Sequence, residues 1–299
     1  MQISVQKYNF FTISLPISQF KCTFALNFLT KTSFHMKKFT FIALLACFIL
    51  ACSTEVDDTI VFDNITSDKD IKLSNDENSP VCAVHLQIAT ASEKESGHKA
   101  EVINRIIQKQ LLNMEELSMQ QAADSFANAY TSTYLRNLLP LYNQDRADTA
   151  KRTWYEYHYV ITSEARQGSK STMAYIVTTD YYEGGAHGVN QRTTMNFDVQ
   201  TGRLIGLNDI FVPGYENLLT AVLQKALCEK VGVANISDLR QKGYLVKMQM
   251  FPTPNFIFED ETITFIYNPS EIAPHTLGET ELVIPLSDLD QILRKENKS

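Results

Sequence analysis

Apolar positions alternate in some stretches and recur at helical spacing in others, and the switches between the two periods predict an order of elements. Val84, Leu86 and Ile88 share one face of a strand over residues 81–89. Val102, Ile103, Ile106, Ile107 and Leu111 recur every three or four residues and predict a helix over 99–112. Ala122, Phe126, Ala129, Tyr130, Thr133 and Leu138 continue the helical pattern over 118–139, where Pro140 is expected to stop it. Residues 154–162 form a strand with aromatics on both faces, so it is expected to be covered on both sides. Gln167-Gly168-Ser169 then returns the chain into a strand over 170–182.

The stretch from Asp180 to Phe211 is the centre of the pattern. Gly184-Gly185-Ala186-His187-Gly188 has three glycines in five residues, which permits positive φ and a tight reversal. A strand over 192–199 alternates Thr194, Asn196 and Asp198 with Met195, Phe197 and Val199, and Gln200-Thr201-Gly202-Arg203 turns it. Asn208 or Asp209 is placed to cap a helical turn. Leu218, Leu219, Val222, Leu223, Ala226 and Leu227 give an amphipathic helix over 215–231 that Gly232 ends, and 236–243 is a shorter helix with Ser237 near its cap. Residues 255–258 and 262–267 flank Glu259-Asp260-Glu261 as a hairpin, 282–284 is the last strand, and Ser287 caps a closing helix with Leu289, Ile292 and Leu293. Strands and helices are segregated, so the class is α+β, with mixed or antiparallel sheets and packed helices in two small modules.

The first residues have a different character. Met36-Lys37-Lys38, the apolar run Phe39 to Leu50 and Leu50-Ala51-Cys52 compose a lipoprotein signal over 36–51, with Cys52 as the lipidated residue. The apolar run is short of the ~20 residues that a spanning helix needs. Residues 1–35 contain no Asp or Glu and are taken as a segment upstream of the true start at Met36. Residues 52–79, rich in Asp, Ser, Thr and Asn, are taken as an acidic flexible tether. The protein is therefore expected in the cell envelope, lipid-anchored at an outer or periplasm-facing membrane surface.

Residues 1–51 hold five Lys and no acidic residue, so the chain from Cys52 carries 22 basic and 34 acidic residues, a net charge of −12. That balance argues against nucleic acid and anionic lipid as partners and favours a basic protein; an acidic surface that merely keeps a secreted protein soluble reads the same way. Cys82 and Cys228 stand far apart, either as a disulfide in an oxidising compartment or as two buried thiols.

Two ordered blocks carry a family resemblance. Tyr182-Glu-Gly-Gly-Ala-His-Gly188, Asn196-Phe-Asp198, Thr201-Gly202 and Leu207-Asn-Asp-Ile-Phe211 make the first. Phe256-Ile-Phe258, Ile263-Thr-Phe-Ile-Tyr267, Asn268-Pro269, Glu271-Ile-Ala-Pro274, Gly278 and Val283-Ile-Pro285 make the second. Together they resemble the extracellular domain of RsiV-type anti-sigma factors and the domain pair preceding the catalytic domain in PdaC-type peptidoglycan deacetylases. The likeness covers roughly residues 78–290. It divides the chain into a PdaC-type module at 80–185 and an RsiV-type module at 186–293. It implies an envelope domain, and a lysozyme-like protein or peptidoglycan as partner. An anti-sigma function is not carried over, since the segment before the apolar run lacks amphipathic helical periodicity. Glu55-Val-Asp-Asp58 is similar to the acidic export signal of Bacteroidetes surface lipoproteins, and a solvated linker looks the same.

The candidate site residues are Tyr182, Glu183, His187, Glu271 and His275. His187, beside Glu183 and three glycines, suits either a metal ligand or general base, or a hydrogen-bonding post that pins the turn. HExxH, HxxxH and GxSxG are all missing, so the structural reading stands first, with no cofactor and no metal expected. Tyr181, Tyr182, Tyr267, Phe256 and Phe258 form either a binding platform or, more commonly in strands, core. Residues 268–278 contain two prolines, a glycine and an Ile-Ala pair expected to tuck inward, the composition of an ordered loop that presents Glu271 and His275. The resemblance makes this loop and the glycine corner a partner-facing side. His85, His98 and His158 read as structural or solvated. The leading expectation is a non-catalytic binding lipoprotein; the alternative is a metal-dependent hydrolase of wall glycan, deacetylase-like, with His187 at its site.

Overall fold

Phe62–Lys72 (β1) is one edge of a six-stranded sheet in the order β1-β2-β3-β4-β5-β6. The computed structural model describes residues 60–297. β2 (Val81–Ala91) runs antiparallel to β1 and parallel to β3 (Tyr157–Gln167). β4 (Thr172–Glu183), β5 (Val189–Asp198) and the two-residue β6 (Leu204–Ile205) continue as an antiparallel meander. The parallel neighbours β2 and β3 require a crossover. It is made by α1 (Glu93–Ser96), α2 (His98–Leu112) and α3 (Met119–Asp145).

Period-two alternation decides which face the helices cover. Cys82, Val84, Leu86 and Ile88 of β2, with Met173, Tyr175 and Val177 of β4 and Met195 and Phe197 of β5, join Ile103, Ile107, Ala123 and Ala127 in the first core. α3 starts at a capping box, in which the Ser118 hydroxyl accepts from Gln121 N–H and the Gln121 side chain accepts from Ser118 N–H.

α3 runs through Pro140 to Asp145 instead of stopping before the proline. The turn beyond it is held by packing: Tyr142 meets Tyr155 edge-on at 5.4 Å, and the Tyr155 hydroxyl donates to Asp145 at 2.7 Å. Those contacts offset the hydrogen bond that Pro140 cannot make. β3 begins at Tyr157, and the expected strand start at Trp154 is a 3-10 turn with that side chain 56% exposed. The far face of β3 is only half-covered, so the aromatic run is not shielded on both sides.

The tether assigned to 52–79 is corrected over 62–72. β1 is a full partner of β2, and its inward positions meet α3, where the Ser67 hydroxyl donates to Asp124 and the Lys69 ammonium to Asn128. Its polar composition misleads because it is an edge strand, whose outward positions Asn64, Thr66, Asp68 and Asp70 face solvent. The signal, Cys52 and the upstream segment lie outside the described residues.

In the second half, α4 (Leu207–Ile210), α5 (Glu216–Val231) and α6 (Ile236–Gln241) precede a three-stranded antiparallel sheet of β7 (Phe256–Phe258), β8 (Thr262–Tyr267) and β9 (Thr280–Pro285). Leu219, Leu223 and Leu227, one helical turn apart, bury against a second core with Phe256, Phe265, Leu282 and Ile284. Gly232 ends α5 with φ +73°, as the glycine predicted. Asn235, not Ser237, caps α6 by accepting from Asp238 N–H at 3.1 Å. The closing segment is a 3-10 turn at Leu286–Leu289 instead of a longer helix, although Leu289, Ile292 and Leu293 are buried as their spacing demanded. Cys82 and Cys228 are free thiols packed in different cores, and burial pushes the Cys82 thiol up to about 12.

Asp209 holds the entrance to α4. Its carboxylate accepts from Gly206 N–H and from Arg203, both at 2.9 Å, which holds its carboxyl below the ordinary value of 3.8. A depressed folded pKa contributes stability above the unfolded value and loses it as pH falls through the folded value. Asp209→Asn is therefore expected to be less stable than the wild type at neutral pH, with the gap closing below about pH 4. Chemical denaturation at both pH values measures it; an equal deficit at each contradicts the assignment.

The two halves meet on the far face of the large sheet. Ala174 and Ile176 pack on Ile257 and Ile266 in a third, smaller apolar cluster. Asparagines complete the joint. Fully buried Asn196 accepts from Phe258 N–H at 3.0 Å and donates to Phe256 C=O at 2.8 Å, as a strand backbone does. β6 is too short to cover the outer edge of β5, and there Asn255 accepts from Thr194 N–H at 2.8 Å while Asn268 accepts from Arg192 N–H at 2.7 Å. Both amides also donate to Arg192 C=O. Arg192 forms ion pairs with Glu279 and Glu281 of the other half. The chain division expected at 185/186 thus falls inside the β4–β5 pair, and the change of core follows β6.

Candidate functional site

At the end of β4 the glycine corner forms as its composition required. Gly184 and Gly185 have φ of +78° and +100°, and the Tyr182 hydroxyl donates to Gly185 C=O at 2.9 Å. A Cβ on Gly184 would lie 2.7 Å from the Trp154 carbonyl oxygen, whereas one on Gly185 would meet nothing within 4 Å. Gly184→Ala is expected to cost about 2 kcal/mol or more, and Gly185→Ala only about 1 kcal/mol, since the second pays for positive φ alone. Thermal unfolding of the two variants checks the order; equal losses contradict the clash.

Alternation separates the neighbours that the sequence put side by side. Tyr182 lies on the outer face, its ring stacked on His158 at 6.2 Å. Glu183 lies on the helix side and accepts from the Tyr130 hydroxyl at 2.7 Å; burial first, then this carboxylate, raises the Tyr130 phenol above its ordinary range. Glu183 therefore belongs to the packing of α3 and not to the surroundings of His187. Glu271 accepts from Asn268 N–H at 2.9 Å and holds the turn in which Ser270 has φ +74°. That turn buries Ile272, the inward residue expected of this loop.

His187 and His275 do come together. Their rings stack with centroids 5.8 Å apart and planes at 20°, both exposed, one from the glycine corner and one from the 268–278 loop. Phe256, Phe258 and Tyr267 are core residues, and Tyr181 stacks on Tyr159 at 5.5 Å. Among the described residues no group of three or more His, Cys, Asp or Glu side chains is disposed to hold a metal ion.

Two polar constellations lie outside the expected set. His158 Nε2 is 2.7 Å from Asp180, whose other oxygen accepts from Asn190 at 3.1 Å. His85 lies 3.0 Å from Asp68 and 3.5 Å from Asp70. Both sit on the outer face of the large sheet, where register sets Asp68, His85, Val160, Asp180 and Asn190 in one row across five strands. No local motif marks them, because strand pairing alone makes them neighbours. No helix among the described residues is long and apolar enough to cross a membrane.

Residues 208–287 match a family described as a protein of unknown function (DUF3298). The chain is 27% identical over 154 residues to the peptidoglycan-N-acetylmuramic acid deacetylase PdaC of Bacillus subtilis, over 51% of this chain and 32% of that protein. It thus spans about a third of that relative's length. The solved structure of a DUF3298 member from Bacteroides fragilis superposes with a TM-score of 0.74 at 26% identity, covering 79% of this chain and 94% of that one. A DUF3298 protein from Pseudomonas aeruginosa shares the fold with a TM-score of 0.54 at 18% identity, covering 79% and 96%. The resemblance to PdaC-type domains drawn from the two sequence blocks is borne out.

Proposed function

We propose that this protein is a non-catalytic lipoprotein of the cell envelope that binds a wall-associated partner, either a lysozyme-like protein or peptidoglycan. The observation that carries the reading is the meeting of His187 and His275 on two ordered, exposed loops drawn from the two halves of the fold. The 268–278 loop is anchored beneath by the Asn268 and Glu271 hydrogen bonds, and the glycine corner by the Tyr182 hydroxyl on Gly185 C=O, so a partner meets a preformed surface. The relationship to a peptidoglycan deacetylase supports a place at the wall. The net charge of −12 from Cys52 onward favours a basic protein over an anionic wall polymer.

Calorimetric titration of the protein with hen lysozyme and, separately, with soluble peptidoglycan fragments tests this. Binding that persists at physiological salt is the expected result, because a Debye length of about 8 Å removes generic attraction. His187→Ala with His275→Ala is expected to weaken it. Failure to bind either class refutes the reading.

A further inference from the structure

On the outer face of the large sheet, the row next to the His–Asp pairs differs from them in one respect. Asp68, His85, His158 and Asp180 spend their polar atoms on one another. Asn64, Gln87, Thr162, Glu164 and Thr178 do not: their side chains make no hydrogen bond within the described residues. They line one trough of about 550 Å³, together with Phe62, Ala89 and Ile176. Register explains why they converge. Gln87 pairs with Thr162 and Thr162 with Thr178, while Asn64 lies opposite Ala89 and Glu164 opposite Ile176. All five point to the same side of four consecutive strands, and the trough spans three strand spacings, about 14 Å.

The floor is a fork in the sheet. The β2–β3 ladder ends at Gln87 and Thr162. Beyond it Ala89 N–H donates to the Ser163 hydroxyl at 2.8 Å, and the Tyr175 hydroxyl donates to Ala89 C=O at 2.7 Å. Two side chains thus satisfy the backbone that a continued ladder would have used, and the strands part to leave the space. The opening is built into the fold and is closed beneath by Tyr175, which is fully buried.

The lining specifies the ligand. Two amides and two hydroxyls offer donors and acceptors without charge, and Glu164 adds one carboxylate that accepts. Phe62 supplies an apolar ring at one end, suited to the C–H face of a sugar. With a single ionisable group in the set, charged partners gain little here, and a neutral ligand dense in hydroxyl and amide groups satisfies the most atoms. We infer that this trough binds a glycan chain of neutral, N-acetylated sugars. The inference rests on the wall-binding reading only for the source of that glycan; the surface is distinct from the His187–His275 loops.

The test uses the protein titrated with N-acetylglucosamine oligomers, soluble peptidoglycan glycan strands and glucose oligomers, by calorimetry and amide chemical-shift mapping. Binding of the first two with shifts at Asn64, Gln87, Thr162 and Thr178 is expected, and Asn64→Ala with Gln87→Ala is expected to weaken it about tenfold or more. Both positions are exposed, so the double variant keeps its fold, checked by an unchanged unfolding midpoint. Binding of the N-acetylglucosamine oligomers at least as tight as that of the peptidoglycan strands supports the trough, whereas binding of the strands alone means that their lactyl carboxyl groups are recognised and overturns the neutral-sugar assignment. Binding of glucose oligomers as tight as the acetylated ones, shifts confined to the His187 and His275 loops, or unchanged affinity in the double variant overturns it. Absence of all glycan binding with retained lysozyme binding overturns the trough and leaves the proposed function intact.

Discussion

Asn196→Ala is expected to lower the stability of the fold by about 2–4 kcal/mol, a large share of the 5–15 kcal/mol of an ordinary domain. The side chain is 1% exposed and acts as a strand partner to β7, accepting from Phe258 N–H and donating to Phe256 C=O. Truncation leaves the Phe258 N–H buried without its acceptor. Phe256 C=O keeps the Thr194 hydroxyl at 2.8 Å, so the loss is concentrated on the donor. Asn196→Asp separates this account from simple loss of volume. The carboxylate still accepts from Phe258 N–H but cannot donate to Phe256 C=O, and it places a charge in a buried joint. Its folded pKa is therefore raised, and protonation favours the folded state. Asn196→Asp is expected to be the less stable of the two at neutral pH and to recover as pH falls towards about 4. Denaturant midpoints across that range measure it; an Asp variant as stable as wild type at neutral pH would falsify the backbone-mimic role.

Phe265→Ala, in the second core, is expected to cost about 3–5 kcal/mol and to move the midpoint reported by Trp154, in the first half. Phe265 is fully buried and packs with Phe256 at 6.2 Å in the cluster beneath α5. Trp154 is the single tryptophan and lies beside the glycine corner. The two cores have separate residues, and they communicate through Ala174, Ile176, Ile257 and Ile266 and through the asparagines of the joint. That joint combines a dry apolar contact with buried hydrogen bonds that only the docked arrangement satisfies, so opening it costs both at once. Fluorescence and far-ultraviolet dichroism should therefore shift together. A Trp154 transition that stays at the wild-type midpoint would mean that the halves unfold independently.

The candidate site was legible in part. Glycine content announced the corner at 184–188, and proline and glycine marked the 268–278 loop, because positive φ and fixed φ are properties of single residues. Their meeting through His187 and His275 was not written locally, since it depends on how the two halves dock. Glu183 was misplaced for a simpler reason. It follows Tyr182 directly, and in a strand the next residue points to the opposite face. β1 was lost to the tether because an exposed edge strand is selected for polar and charged outward positions, which gives it the composition of a linker.

In α3 the expected stripe was partly wrong, for Ala129 and Thr133 are exposed and Ala123, Ala127 and Tyr134 are buried instead. By itself the sequence determined the α+β class, the long helices, the β3–β4 and β7–β8 hairpins, the glycine corner and the apolar stripes of α2 and α5. Each follows from short-range periodicity or from the backbone limits of glycine, and neither needs a distant partner to act. Tertiary structure alone decided the parallel seat of β2 against β3, the asparagine joint, the His–Asp pairs and the unspent row along the trough. Those features join residues tens of positions apart, and strand register, which a shift of one residue would invert, is what brings their side chains to a common face.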